Sequence, residues 1–277
     1  MSVRQRRHLF EDAWLAVLLA GVAGSVDAIG YLTLSKLFTA HMSGNSAAMG
    51  AFVGIGEWAN ARHRLLPIPF FVLGIATGAF LAELAVRKRV RSPFALVLTG
   101  QAALLLLYLL WGSARMRHGT VAEGSWWEFA ALVGLPSFAM GLQNATLRKV
   151  GSQSVRTTYV SGMLTDFAEA LVRLLFWLYG RAWGRSPRRV GQALRVLARQ
   201  PDARRIGLFA GIWGAFVIGA AAGGCAVARW QLDALLLPLC GLGVVIGVDS
   251  KWPIVSEQKG KRARKGRDGN NAGKIDP

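Results

Sequence analysis

G-S-V-D-A at 24–28, followed by T-A-H-M-S-G-N at 39–45, is a polar script set inside apolar sequence, and the chain writes it twice. The second copy is G-L-Q-N-A at 141–145, followed by T-T-Y-V-S-G-M at 157–163. Each copy places Gly, a carboxylate or amide, and Ala ahead of a Thr and a Ser-Gly pair. The copies are about 117 residues apart, and self-similarity at such a spacing marks a chain built from two structural repeats. In membrane proteins of that plan the ligand site tends to lie where the repeats meet.

Working outward, 53% of the 277 residues are apolar, yet the formal charge is +18. A soluble core does not readily combine these two properties, so the charges must be segregated. They are: Lys and Arg crowd into connecting segments and leave long apolar stretches between them. Six of these stretches, 13–34, 66–86, 93–112, 127–147, 205–228 and 232–249, suit a bilayer core that needs about 20 helical residues. Two further segments, 39–56 and 155–179, are ambiguous, each long enough to come close to spanning. The amino-terminal pattern of Arg4, Arg6 and Arg7 before an apolar run resembles a secretory signal. The run continues past Ala28 to Leu34 and contains the repeat motif, so a retained first span is expected.

Positive charge decides between the topologies. If both ambiguous segments span, the R-K-R-V-R run at 87–91 lies outside, against the tendency of Lys and Arg to stay cytoplasmic. If neither spans, Arg4, Arg6, Arg7, Arg87, Lys88, Arg89, Arg91, Arg148, Lys149 and Arg156 all lie inside. Eight arginines between 181 and 205 and the basic tail join them there. The expected fold is therefore an all-α polytopic bundle of six spans plus two re-entrant or broken helical segments. Three spans per half make the two repeats inverted. The layout is a basic amino terminus at 1–12, a first repeat at 13–112, an external loop at 113–125 and a second repeat at 126–249. That second repeat carries a basic insert at 180–204, and a disordered basic tail occupies 250–277. Both termini are expected in the cytoplasm.

The polar residues inside these segments are the candidate site. Asp27 sits mid-span, where a carboxylate costs about 2.5–3.5 kcal/mol on insertion scales and normally faces a partner or a wet cavity. Its counterpart is Asn144, beside Gln143. His41, Ser43 and Asn45 follow in the first copy, and Thr157, Tyr159 and Ser161 in the second; re-entrant backbone there would present hydroxyls and helix ends to a small solute. His41, titrating near neutrality when unperturbed, suits proton coupling with Asp27, and Asp166 is a further candidate for coupling. The alternatives are structural. Asp27 can serve as a helix-packing hydrogen bond, His41 as a satisfied interfacial histidine, and Asp166 and Glu169 as members of an ion-pair network with Arg173. Glu83 is expected to neutralise Arg87. The G-x-x-x-G spacings Gly74/Gly78, Gly219/Gly223 and Gly243/Gly247 suit close packing of spans or contact between copies in a homo-oligomer.

No H-E-x-x-H, G-x-S-x-G or P-loop is present, and neither Ser43 nor Ser161 has a sequence-evident base, so neither an enzyme nor a cofactor or metal site is expected. Cys225 and Cys240 lie in apolar stretches and read as ordinary thiols. Residues 187–200 alternate arginines with Val190, Leu194 and Leu197 at helical spacing. That pattern suits an amphipathic helix on anionic headgroups, and the tail after Lys259 suits the same lipid partner better than nucleic acid.

In combination, V-D-A-I-G-Y-L-T-L at 26–34, H-M-S-G-N at 41–45, F-A-M-G-L-Q-N-A at 138–145 and R-T-T-Y-V-S-G-M-L-T at 156–165 resemble the YoaK family of bacterial membrane proteins, a domain of unknown function, over residues 12–250. The resemblance implies an integral protein of the bacterial inner membrane, of about six helices, and brings no substrate or reaction. The residues themselves suggest a secondary transporter or permease for a small polar or ionic solute. A non-transporting membrane scaffold is the alternative.

Overall fold

A computed structural model describes residues 3–90, 92–116, 125–146, 160–182, 191–192, 195–197 and 200–251, and no strand occurs among them. The helices are α1 (Val3–Thr33), α2 (Met42–Gly54), α3 (Trp58–Leu65), α4 (Pro67–Arg87), α5 (Pro93–Met116), α6 (Trp126–Thr146), α7 (Val160–Ala182), α8 (Pro201–Trp230) and α9 (Leu236–Lys251). A 3-10 turn, Gln231–Leu235, joins the last two. Local sequence sets several ends. Pro67 and Pro201 open α4 and α8, where a missing N–H costs nothing. Ser35 and Lys36 take positive φ after α1, as Arg89 does after α4 and Gln231 after α8, and each turns the chain out of its helix.

Among the described residues four stretches are long and apolar enough to cross a membrane: Ala13–Thr33, Trp58–Arg87, Pro93–Arg115 and Pro201–Lys251, the last containing both α8 and α9. The helix expected at 127–147 forms as α6 but does not join them by composition, because Ser137, Gln143, Asn144 and Thr146 lie within its 21 residues. Two thirds of α6 is buried against other helices, Ser137, Gln143 and Thr146 among the buried residues. The first ambiguous segment, 39–56, holds a single helix, α2, and α3 lies beyond it. At 13 residues α2 is about 20 Å long, short of the roughly 30 Å of a bilayer core. The second is not broken as expected: it is the continuous 23-residue α7, about 34 Å long.

Close approaches at small residues fix the helix directions. Gly21 meets Gly219 and Ser25 meets Gly223, so α1 and α8 run side by side in the same direction. Likewise α4 runs along α6, with Phe70 against Gly134, Gly74 against Phe138, and Gly78 against Leu142 and Ala145. A Cβ at Gly24 would strike the Phe216 carbonyl, and one at Gly141 the Phe71 carbonyl, so backbone meets backbone at both crossings. The expected close packing of Gly74/Gly78 and Gly219/Gly223 is thus found, whereas Gly243 and Gly247 touch nothing. By contrast α5 is antiparallel to α6, with Gly100 near Leu142 and Gly112 near Leu132. It is antiparallel to α9 as well: Ala95 lies beside Asp249 and Ser113 beside Asp233.

One end of the bundle gathers Ile29, Leu34 and Leu37 with Tyr108, Phe129, Leu132, Ala226, Leu232 and Leu235. The basic side chains there are engaged: Arg62 lies 4.0 Å over the Trp126 ring, Lys36 lies over Tyr31, Arg64 donates to the Lys36 carbonyl, and Arg115 pairs with Glu128. Trp58, Trp127 and Trp230 are exposed at the same end, as membrane-interface aromatics are. The other end carries Arg87, Lys88, Arg89, Arg204, Arg205 and Lys251.

Candidate functional site

Two polar clusters lie inside the bundle. The first closes the unwound segment between α1 and α2. Asp27, 4% exposed, accepts three hydrogen bonds at Oδ1: from Thr39 N at 2.8 Å, from Ala40 N at 2.8 Å and from Thr39 Oγ1 at 3.1 Å. Asn45, fully buried, reaches back from the first turn of α2. Its Nδ2 donates to the Phe38 carbonyl at 2.7 Å, and its Oδ1 accepts from Phe38 N at 3.2 Å. Backbone that leaves a helix at this depth loses its ladder partners, and a carboxylate and an amide supply them here. The conformation follows from the sequence: Gly30 lets the Thr39 methyl press against α1, which brings residues 39 and 40 under Asp27.

The second cluster is an amide chain. Gln143 Nε2 donates to the Leu19 carbonyl at 2.7 Å, and Gln101 Nε2 donates to Gln143 Oε1 at 2.6 Å. Both side chains are fully buried, and they tie α1, α6 and α5 together. Gln101 was not among the residues the sequence singled out. A lone amide in an apolar run has no motif around it, and its one signal is a polar side chain deep inside a spanning stretch.

The sequence had placed Asp27 with Gln143 and Asn144 in one pocket. Gln143 instead bonds Leu19, eight residues before Asp27 on α1, or about 12 Å along the axis. Asp27 serves the 38–40 loop, and Asn45 joins it there. His41 is half-buried and packs on Phe38 with ring centroids 5.4 Å apart, while Ser43 is exposed. Asn144 is half-buried on α6. Thr157 and Tyr159 lie outside the described residues, and Ser161 belongs to the first turn of α7. Asp166 is exposed and far from Asp27 in the fold: on α7 the neighbouring Glu169 pairs with Arg173 at 3.3 Å, and Arg173 reaches Asp202 at 3.2 Å. Glu83 pairs with Arg87 at 3.0 Å, as expected, and both cysteines are free and exposed.

A second buried carboxylate, Asp249, lies at the basic end. It accepts from Ala95 N at 3.0 Å and from the Ser92 hydroxyl, so α9 caps the first turn of α5. At the aromatic end the Ser113 hydroxyl donates to Asp233 at 3.0 Å. The α5·α9 pair is therefore fastened at both ends.

Residues 15–248, which include both script copies and the Asp27 and Gln143 clusters, match the family described as "Protein of unknown function (DUF1275)". The chain belongs to this family. Among curated proteins, this chain resembles the UPF0700 transmembrane protein YoaK of Bacillus subtilis, 26% identical over 59% of this chain and 68% of that protein. It also resembles the UPF0700 transmembrane protein RA0705 of Rhizobium meliloti, 28% identical over 66% of this chain and 74% of that protein. No solved structure matches. With its relatives and its long apolar helices, this DUF1275 protein is a membrane protein, as its motifs suggested.

Proposed function

We propose that the protein is a secondary transporter or permease for a small polar or ionic solute, built from two inverted three-span repeats. The observation that carries the proposal is the reciprocity of the helix crossings. Gly24 meets Phe216 and Ala220, and its script counterpart Gly141 meets Phe71 and Ile75. Gly219 meets Gly21 as Gly74 meets Phe138, and Gly223 meets Ser25 as Gly78 meets Leu142. One constant shift of about 117 residues carries α1 onto α6, and another of about 145 carries α4 onto α8, so each half lays its second span on the first helix of the other.

The directions support inversion. α1 opposes α6, with Leu19 level with Gln143 and Ile29 in one cluster with Phe129 and Leu132. α5 opposes α9, and α4 opposes α8 because each runs parallel to one of the opposed pair. Inverted repeats meeting at a shared core are the plan on which alternating access is built. The six spans then place Lys and Arg unevenly, which favours a cytoplasmic basic end, both termini inside, and contact of 187–200 and the tail with anionic headgroups. In that segment residues 191–192 and 195–197 are helical. The reading includes no enzymatic step and no cofactor.

The two polar clusters also favour a second reading, a non-transporting scaffold, because Asp27 and Gln143 are engaged within the protein. Flux of pooled small polar and ionic solutes into proteoliposomes separates the two. The permease reading predicts uptake above that of empty vesicles, with a response to a proton gradient and loss on Asp27→Asn or Asn144→Ala. No flux, with Asp27→Leu merely lowering the yield of folded protein, would favour the scaffold.

A further inference from the structure

The amide chain has a fixed polarity with an open end. A backbone carbonyl only accepts, so Leu19 O forces the Nε2 group of Gln143 toward it. Gln143 then offers Oε1 to Gln101, which must answer with Nε2. That choice leaves Gln101 Oε1 as the terminal atom. It is fully buried and has no hydrogen-bond partner among the described residues. Flipping either amide sets N–H against N–H or O against O, so the open carbonyl is built into the arrangement and is not a matter of orientation.

The position is telling. Gln101 lies three residues from the middle of the span Pro93–Arg115, about 5 Å from its midpoint. At that depth no bulk water answers an unpaired carbonyl, and leaving one bare costs about 1–3 kcal/mol. A bundle that wanted only packing would fill this site with Leu or Met, as its neighbours Leu98 and Met140 do. Gln143 comes from α6 in the second half, whereas Leu19 and Gln101 belong to α1 and α5 in the first, so the chain crosses the line where the halves meet.

We infer that Gln101 Oε1 is a binding point for a hydrogen-bond donor, an O–H or N–H group of a small solute or of a bound water, held at mid-membrane by the Leu19–Gln143–Gln101 amide chain. The inference rests on the permease reading only for the identity of the donor as cargo. The open atom is an acceptor carrying partial negative charge, so a donor-bearing neutral or cationic solute fits it and a carboxylate or phosphate does not. Gln143 is a positioning residue: it presents Gln101 and takes its own bearing from α1.

Two readouts on the full-length protein test this. In proteoliposomes, entry of urea, glycerol and methylammonium is compared with entry of acetate for the wild type and for Gln101→Met, which keeps the side-chain length and removes the carbonyl. In nanodiscs, magnetisation transfer from water to the glutamine side-chain amides of selectively labelled protein reports a donor at the site directly, with Gln101→Met identifying the signal. The expected result is entry of at least one donor-bearing probe, no entry of acetate, and a tenfold or greater loss of entry in Gln101→Met, whose thermal midpoint confirms that it is folded. Undiminished entry in Gln101→Met overturns the inference and leaves the permease reading standing. If the wild type passes none of the probes, the permease reading fails for them, and water transfer to Gln101 then supports a bound-water site. Absence of both entry and transfer overturns the inference.

Discussion

Replacing Asp27 tests what holds the unwound segment between α1 and α2. Asp27→Leu leaves the N–H groups of Thr39 and Ala40 without their acceptor in a buried place, Thr39 being 1% and Ala40 5% exposed. Each orphaned donor costs about 1–3 kcal/mol, so the loss should total about 2–6 kcal/mol. Asp27→Asn keeps one acceptor oxygen and exchanges charge-assisted bonds for neutral ones, a loss of about 1–3 kcal/mol. Thr39→Val removes the hydroxyl bond alone, worth about 1 kcal/mol. The expected order of unfolding midpoints in detergent is therefore wild type, Thr39→Val, Asp27→Asn, Asp27→Leu. A cysteine in place of the exposed Lys36, in a background without Cys225 and Cys240, should react faster with a soluble maleimide in the same order as the segment loosens. An Asp27→Leu protein that melts with the wild type and keeps that cysteine equally slow would refute the reasoning.

Other consequences are as concrete. Gly24→Ala and Gly141→Ala should destabilise by similar amounts, about 1–3 kcal/mol each, because both place a Cβ into a backbone carbonyl across a helix crossing. Gly50→Ala and Gly54→Ala, whose Cβ positions touch nothing, should be neutral or gain about 0.5–1 kcal/mol from helix propensity; denaturant titration in detergent compares the four. Asp249→Ala should cost about 1–2 kcal/mol through loss of the α5 cap and raise hydrogen exchange at Ala95. Arg173→Ala should leave the unfolding midpoint nearly unchanged, since Arg173 and Glu169 are exposed and Asp202 is only half-buried.

Most helix positions were legible because periodic apolar length is a strong signal. The stretch expected at 66–86 forms as Pro67–Arg87, and that at 127–147 as Trp126–Thr146. The last was expected to start at 232, but α9 begins at Leu236, because Asp233 and its neighbours wind first into a 3-10 turn that α5 grips through Ser113. The ambiguous 39–56 segment holds the one short helix α2, and the sequence said nothing of the further helix at Trp58–Leu65. That helix is weakly apolar and docks through Arg62 and His63 on Trp126. Asp27 was recognisable as a residue that needs a partner. That the partner is the Thr39 and Ala40 backbone was not legible, because backbone donors carry no residue signature. Gln101 and Asp249 escaped for a related reason: each acts through neighbours remote in sequence, Gln143 in one case and Ser92 in the other.

The counter-orientation of the two halves is tested most directly by phosphatase fusions after residues 60, 90, 120 and 200 in a bacterial host. Activity after 60 and 120, with none after 90 and 200, is the predicted pattern. It would put the aromatic end outside and the basic end inside, with one half entering the bilayer from each face. Activity after residue 200, or none after residue 60, would contradict it and remove the basis for the permease.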